Sequence, residues 1–263
     1  MSPSANSPAN TEQSCKARSS KPATTLRENF SRLDWQGILV RRACSTKPKS
    51  SCPKRLRCAR GFRFVTCLCV TRNRRQWIPK AIACFQNQTY PHRELLILAD
   101  GESVRDLVPA DNSIRLLELE GAAQIGEKRN LGCDRALGEI ICHWDDDDYS
   151  APGRIADQVA RLVESKLACT GYRSMRFTDG ARSWLYQGTP LFALGTSLCY
   201  RKEWWKTHRF RSIQIGEDNY FGTAAAAEGQ MVTADAGEFM WATVHAKNTS
   251  PRSLNGSAWK LLA

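Results

Sequence analysis

The sequence predicts an α/β fold: a mostly parallel central sheet flanked by helices, giving way to a mixed C-terminal half. Three observations carry this. Short apolar runs rich in β-formers recur at 62–70, 94–100, 114–119 and 139–144. Stretches of helical periodicity fall between them, at 77–88 and 126–138. After residue 166 the alternation breaks into shorter, hairpin-like segments.

FRFVTCLCV (62–70) is continuously apolar, as a parallel strand buried on both faces requires. WIPKAIACFQNQ (77–88) puts Ile78, Ile82 and Phe85 on one helical face, with Pro79 in the first turn where its missing N–H is harmless. ELLILAD (94–100) and IRLLEL (114–119) read as further strands, and GEKRNLGCDRALG (126–138) as a helix closed by Gly138. EIICHW (139–144) is a fourth strand, and Asp145, Asp146, Asp147 and Asp148 leave its carboxyl end. PGRIADQVARLVESK (152–166) is an amphipathic helix with Ile155, Val159 and Leu162 inward. Residues 167–187 read as two strands turning at Asp179-Gly180, 191–202 as a strand, 217–229 as a short helix, and 231–236 and 239–246 as late strands. Strand–helix–strand alternation implies right-handed crossovers, with ligands collecting beyond the carboxyl ends of the strands.

The 263 residues carry a formal net charge of +12, but residues 1–60 hold 13 Lys/Arg against Glu12, Glu28 and Asp34. The tail therefore carries +10 and residues 61–263 only +2. A nucleic-acid-binding body is not expected from so neutral a balance. The expected organisation is a disordered, basic, Ser/Pro-rich tail (1–60), one domain (61–250) and a short C-terminal tail (251–263). Within the first tail, NFSRLDWQGILVRR (29–42) has the pattern of one amphipathic helix. A transit-like segment and a mis-assigned start both remain open for it. No apolar stretch reaches membrane-spanning length, so a cytoplasmic protein with at most peripheral membrane contact is expected. Eleven cysteines, with Cys67, Cys69, Cys142 and Cys199 inside apolar runs, fit buried thiols in a reducing compartment. Cys52, Cys58, Cys67 and Cys69 lack a zinc-binding spacing.

Four adjacent carboxylates at the mouth of a buried strand, flanked by Trp144 and Tyr149, call for a cation. Alternation lets Asp145 and Asp147 converge on one ion, and oxygen ligands suit Mg²⁺ or Mn²⁺ completed by substrate phosphates. Asp100 ends the second strand before Gly101 and can accept from a base or ribose. Thr71, Arg72 and Asn73 form the loop after the first strand. Arg129, near the start of a helix, can reach a diphosphate. Glu217 and Asp218 follow Gly216 at a helix start, and His245 follows a late strand with Asn248 and Thr249 beyond it.

VTCLCVTRNR, ELLILADG, GEKRNLGCDRALGEIICHWDDDD, GEDNYF and VHAKNTS, in that order, resemble family 2 glycosyltransferases over about residues 62–250. The resemblance implies a GT-A-like, Rossmann-related fold and inverting transfer of a sugar from a nucleoside-diphosphate donor, a UDP-sugar first. The acceptor would be a glycan, a lipid-linked chain or a protein. It implies Thr71, Asn73, Asp100, Arg129, Asp145 and Asp146 as donor-binding residues. Asp145, Asp147 and His245 would hold Mn²⁺ or Mg²⁺, Asp218 would be the catalytic base with Glu217 beside it, and Trp204 and Trp205 would lie on the acceptor side. Two departures stand out: Val70 where the family has Pro, and Ala99 where it has a first Asp. A non-catalytic nucleotide-sugar-binding module and a metal-dependent nucleotidyltransferase are the alternatives.

Overall fold

The computed structural model describes residues 40–42, 63–250 and 253–262. A short strand, β1 (Val40–Arg42), precedes β2 (Val65–Arg72), α1 (Ile78–Gln86), β3 (Arg93–Asp100), β4 (Ile114–Leu119), α2 (Ile125–Arg135) and β5 (Ile140–His143). The strands lie in the order β1-β4-β3-β2-β5, with β2 to β5 mutually parallel and β1 antiparallel on β4. The chain steps outward from β2 to β4 and then crosses back to add β5 on the other side of β2. That reversal opens a crevice beyond the carboxyl ends of β2 and β5, where α/β sheets bind their ligands.

Alternate strand residues build two cores, as period-two geometry demands. Cys67, Cys69, Leu95 and Ile97 pack with Ile82 and Phe85 of α1. Ile155 and Leu162 of α3 (Arg154–Ser165) join the same face. Leu68, Leu96 and Leu98 pack on the opposite face against Cys133 of α2. Phe221 and Ala225 of α5 (Glu217–Ala227) complete that side. Cys67, Cys69, Cys142 and Cys199 are buried free thiols, whereas Cys52 and Cys58 lie outside the described residues.

The mixed half is organised on one long strand, β7 (Cys169–Thr178), which follows the two-residue β6 (Tyr149–Ser150) and α3. Next come β8 (Ser183–Gln187), β9 (Cys199–Arg201), α4 (Lys202–Thr207), α5, β10 (Met231–Asp235), β11 (Met240–Thr243) and β12 (Trp259–Leu262). The first half of β7 pairs with β9 and β10, and its second half with β8 and β11. β9 also pairs antiparallel with β5 and so joins the two halves of the sheet.

Four details differ from the sequence reading. Within 191–202 only Cys199–Arg201 is extended, because residues 195–197 form a 3₁₀ turn. There the Ser197 hydroxyl donates to Leu194 O (2.7 Å) and accepts from the Tyr172 amide (2.7 Å), so a side chain competes with the ladder. Gly138 does not cap α2, which ends at Arg135; it lets the chain pass β2, since a Cβ there would sit 2.5 Å from the Thr66 amide nitrogen. The C-terminal segment adds β12 to β8. The end of the expected 29–42 helix is strand β1; the rest of that segment, and of the 1–60 tail, lies outside the described residues.

One buried cation fixes the end of β5. Arg154 is fully buried and donates to Ser150 Oγ (2.7 Å), His143 O (2.8 Å) and Thr196 O (3.1 Å). Its guanidinium also lies 5.0 Å from the Trp144 ring centroid. Arg154→Met strands these acceptors and is expected to lower stability by about 3 kcal/mol. The check is a fall in the urea midpoint at unchanged slope; an unmoved midpoint would mean that Arg154 anchors nothing.

Candidate active site

The four aspartates leave β5 in a bend, and each meets a different neighbour. Asp145 faces Arg129 Nη2 at 3.9 Å. Asp146 accepts from the Thr71 hydroxyl at the end of β2 (2.6 Å). Asp147 accepts from Asn248 Nδ2 (3.1 Å) and lies 2.9 Å from His245 Nε2. Asp148 accepts from the Thr196 hydroxyl (2.5 Å) and the Thr243 amide (3.0 Å). All four line one cavity of about 290 Å³, together with Glu217, Asp218, Arg74 and Arg129.

Six carboxylates thus face two guanidiniums. Burial, with Asp147 and Asp145 nearby, pushes the Asp146 and Asp148 carboxyls up to about 7, although Arg74 works the other way on Asp146. Arg74 donates to Asp147 and stands 3.2 Å from Asp146 Oδ1. Burial opposes its charge, but Asp146 and Asp147 outweigh burial and raise its pKa. A cation position between these carboxylates is therefore built in, and Arg74 fills it.

The oxygens that Asp145 and Asp147 present to the cavity are of the kind a divalent ion takes, although Arg74 occupies Asp147 here. Among the described residues, however, no three His, Cys, Asp or Glu groups stand preassembled around one point. His245 explains part of this. Its Nδ1 accepts the Lys247 amide (3.1 Å), so Nε2 carries the proton and donates to Asp147. The ring stacks on Trp77 (centroids 4.8 Å apart). His245 therefore orients Asp147; to ligate through Nε2 it would have to give up the Lys247 amide.

Glu217 and Asp218 open α5, whose first residue follows Gly216 at φ +87°, a conformation that favours glycine. Glu217 is buried and accepts from Arg129 Nε (2.9 Å). Burial first, then Asp218, raise its pKa, while Arg129 opposes them. Asp218 makes no ion pair among the described residues and lines the cavity. Its carboxylate lies directly over Gly195, where any Cβ would overlap it. Arg129 Nη1 is buried without a hydrogen-bond partner among the described residues.

A second cavity of about 270 Å³ adjoins the first, lined by Thr71, Arg72, Asn73, Lys128 and Lys247 among others. Asn73 adopts φ +53° and accepts the Glu102 amide (2.9 Å), stapling two loops at the sheet edge. Asp100, expected to meet the base, is buried instead. Its oxygens take Lys128 Nζ (2.6 Å) and the Ala123 amide (3.0 Å), so Lys128 is the group that faces this cavity. Trp204 and Trp205 also depart from expectation, since neither lines either of these two cavities. Trp205 is buried and donates to Asn130 Oδ1 (3.0 Å), while Trp204 stacks on His208. Both sit on the apolar side of α4, which packs on the sheet.

Sequence reasoning passed over Arg74, Lys128, Arg154 and Gly195. Arg74 stands one residue past the loop that was singled out, but nothing local marks it as the partner of aspartates 72 and 73 positions away.

Glycosyl transferase family 2 matches residues 66–228 of the chain. A Haemophilus influenzae protein described as an uncharacterized glycosyltransferase is 24% identical over 100 residues, 36% of this chain and 40% of that protein. Residues 1–349 of S. aureus TarS, in complex with UDP-GlcNAc, are similar with a TM-score of 0.60 at 17% identity, covering 71% of this chain and 60% of that one. The mannosyltransferase PcManGT from Pyrobaculum calidifontis, in complex with GDP-Man and Mn²⁺, gives a TM-score of 0.58 at 16% identity, covering 77% and 62%. The chain thus spans about two-fifths of the curated relative and about three-fifths of these solved structures. The fold is the GT-A-like α/β arrangement expected. No helix of the described residues is long and apolar enough to cross a membrane.

The raised carboxyls give stability a sign with pH. Asp148 keeps its proton up to about 7 in the folded chain, against ~3.9 in an unfolded one. The folded state binds more protons between those values, so stability falls as pH rises through that window. Asp148→Asn retains an acceptor for the Thr243 amide and removes the charge. Its melting temperature should exceed wild type by more at pH 8 than at pH 5, in the absence of divalent ions. An equal difference at both values would contradict the assignment.

Proposed function

The chain belongs to glycosyl transferase family 2, and from that premise we propose that it transfers a sugar from a nucleoside-diphosphate donor to an acceptor hydroxyl, with inversion at the anomeric carbon. The observation that supports this most is the meeting of Asp145 and Asp147 with Asp218 around one cavity. TarS holds UDP-GlcNAc and PcManGT holds GDP-Man with Mn²⁺, and by that likeness the donor is a nucleotide sugar, a UDP-sugar first.

Asp145 and Asp147 would hold Mn²⁺ or Mg²⁺, which when bound offsets charge gathering on the departing diphosphate. Arg129, with one guanidinium nitrogen unspent, supplies a further positive charge at the same wall. Thr71, Asn73 and Lys128 bound the adjoining cavity, which suits the nucleoside. Glu217 is committed to Arg129, which leaves Asp218 to take the proton from the acceptor hydroxyl as that oxygen attacks. Asp146 and Asp148 spend their oxygens on Thr71, Thr196 and Thr243 and shape the loop.

Asp218→Asn should lower turnover by about 10²–10⁴-fold, the usual contribution of a general base, while donor binding stays intact. Near wild-type turnover would remove Asp218 from that role. Asp147→Asn should instead weaken donor binding that depends on the ion. The first test is a screen of nucleotide sugars with Mn²⁺ for thermal stabilisation, which a bound donor provides by mass action. Transfer should release a nucleoside diphosphate; release of pyrophosphate from a nucleoside triphosphate would indicate a nucleotidyltransferase instead.

A further inference from the structure

The cavity has a second wall that the proposed chemistry leaves without a task. Tyr186 on β8, Phe192 in the loop that follows and Trp259 on β12 line it alongside Leu194 and Asp218. The β8–β12 pairing sets Trp259 directly across from Tyr186, with ring centroids 5.0 Å apart at 60°. Phe192 stands 6.0 Å from Tyr186. Behind them the fully buried Phe177 meets Trp259 edge-on at 4.9 Å. All three wall rings are half-buried. Neither the Tyr186 hydroxyl nor the Trp259 indole N–H has a hydrogen-bond partner among the described residues.

Such a wall has a specific chemistry. Aromatic faces carry negative charge density that attracts C–H groups, and Tyr and Trp add a polar tip at the ring edge. A pyranose matches both features, with an axial C–H face to lie on a ring and equatorial hydroxyls to meet the tips. An alkyl chain would leave the tips unpaired, and an extended peptide would need backbone partners that three rings do not offer. We propose that Tyr186, Phe192 and Trp259 form the acceptor subsite and that the acceptor presents a pyranose ring there, its hydroxyl directed toward Asp218. This rests on the glycosyltransferase reading and replaces Trp204 and Trp205 as the acceptor side.

The test is saturation-transfer NMR on the full chain with UDP or GDP and Mn²⁺ present. Methyl glycosides of glucose, galactose, mannose and N-acetylglucosamine serve as probes, and glycerol as the ringless control. At least one glycoside should receive saturation at its ring protons, and glycerol should not. Trp259→Ala should weaken that glycoside about tenfold, or ~1.4 kcal/mol, at the upper end of what an aromatic contact contributes. Trp259→Phe, which keeps a ring and guards against simple unfolding, should stay within about threefold by the same measure. Nucleoside diphosphate binding on the same samples is the reference. If the nucleotide binds but no glycoside does, or Trp259→Ala binds as wild type, or glycerol binds as well, the subsite is wrong and the donor reading stands. If the nucleotide itself fails to bind, the glycosyltransferase reading falls, and the subsite with it.

Discussion

Negative charge confined at the carboxyl end of β5 is the constraint on which the rest of this molecule depends. Burial first, and neighbouring like charges with it, raise a carboxyl's pKa and disfavour ionisation, which is what befalls Asp146 and Asp148. Folding alone gives no reason to gather six carboxylates around two guanidiniums. The arrangement is tolerable because each aspartate is hydrogen-bonded or faces a cation, and because Arg74 bridges two of them. Six carboxylates against two guanidiniums leave an excess of negative charge, which on the proposed reading a divalent cation would reduce.

The fold supplies rigidity where that charge is held. The crossover that puts β5 beside β2 brings Thr71, Asp100 and the aspartate loop to one sheet edge. Trp144 seals the strand end and donates to Ala81 O (3.1 Å). Arg154 ties the same strand end to the 3₁₀ turn that carries Gly195 and Thr196. That turn in turn admits the Asp218 carboxylate over a residue with no side chain. One buried guanidinium, acting through backbone oxygens, thus ties the strand end that carries the aspartates to the turn beneath Asp218.

Much of this was legible in the sequence, and the boundary has physical causes. Short apolar runs rich in β-formers and bounded by turn residues read as strands, so β2, β3, β4 and β5 were readable along with the crevice beyond them. A charge run abutting a buried strand pointed to a cavity rather than a solvated loop, and all four aspartates do line one. Partner choice was not readable. Asp100 lies beside Gly101 like a ligand-facing turn residue, yet Lys128, 28 residues on, neutralises it from α2. Trp204 and Trp205 looked like acceptor contacts, but a six-residue helix is too short for periodicity to show which side packs on the core. The aromatic wall depends on β12 returning to β8, a pairing of residues about 75 positions apart; no local pattern announces it.

The measurement that bears most directly on this account is a Mn²⁺ titration of the full chain followed by electron paramagnetic resonance, with and without UDP or GDP. The account predicts that free Mn²⁺ signal is lost on adding wild-type protein, more tightly with nucleoside diphosphate present, and that Asp147→Asn abolishes the loss. An Mn²⁺ signal indifferent to the protein, or equally quenched by the variant, would mean that the aspartates of β5 were gathered for something other than a cation.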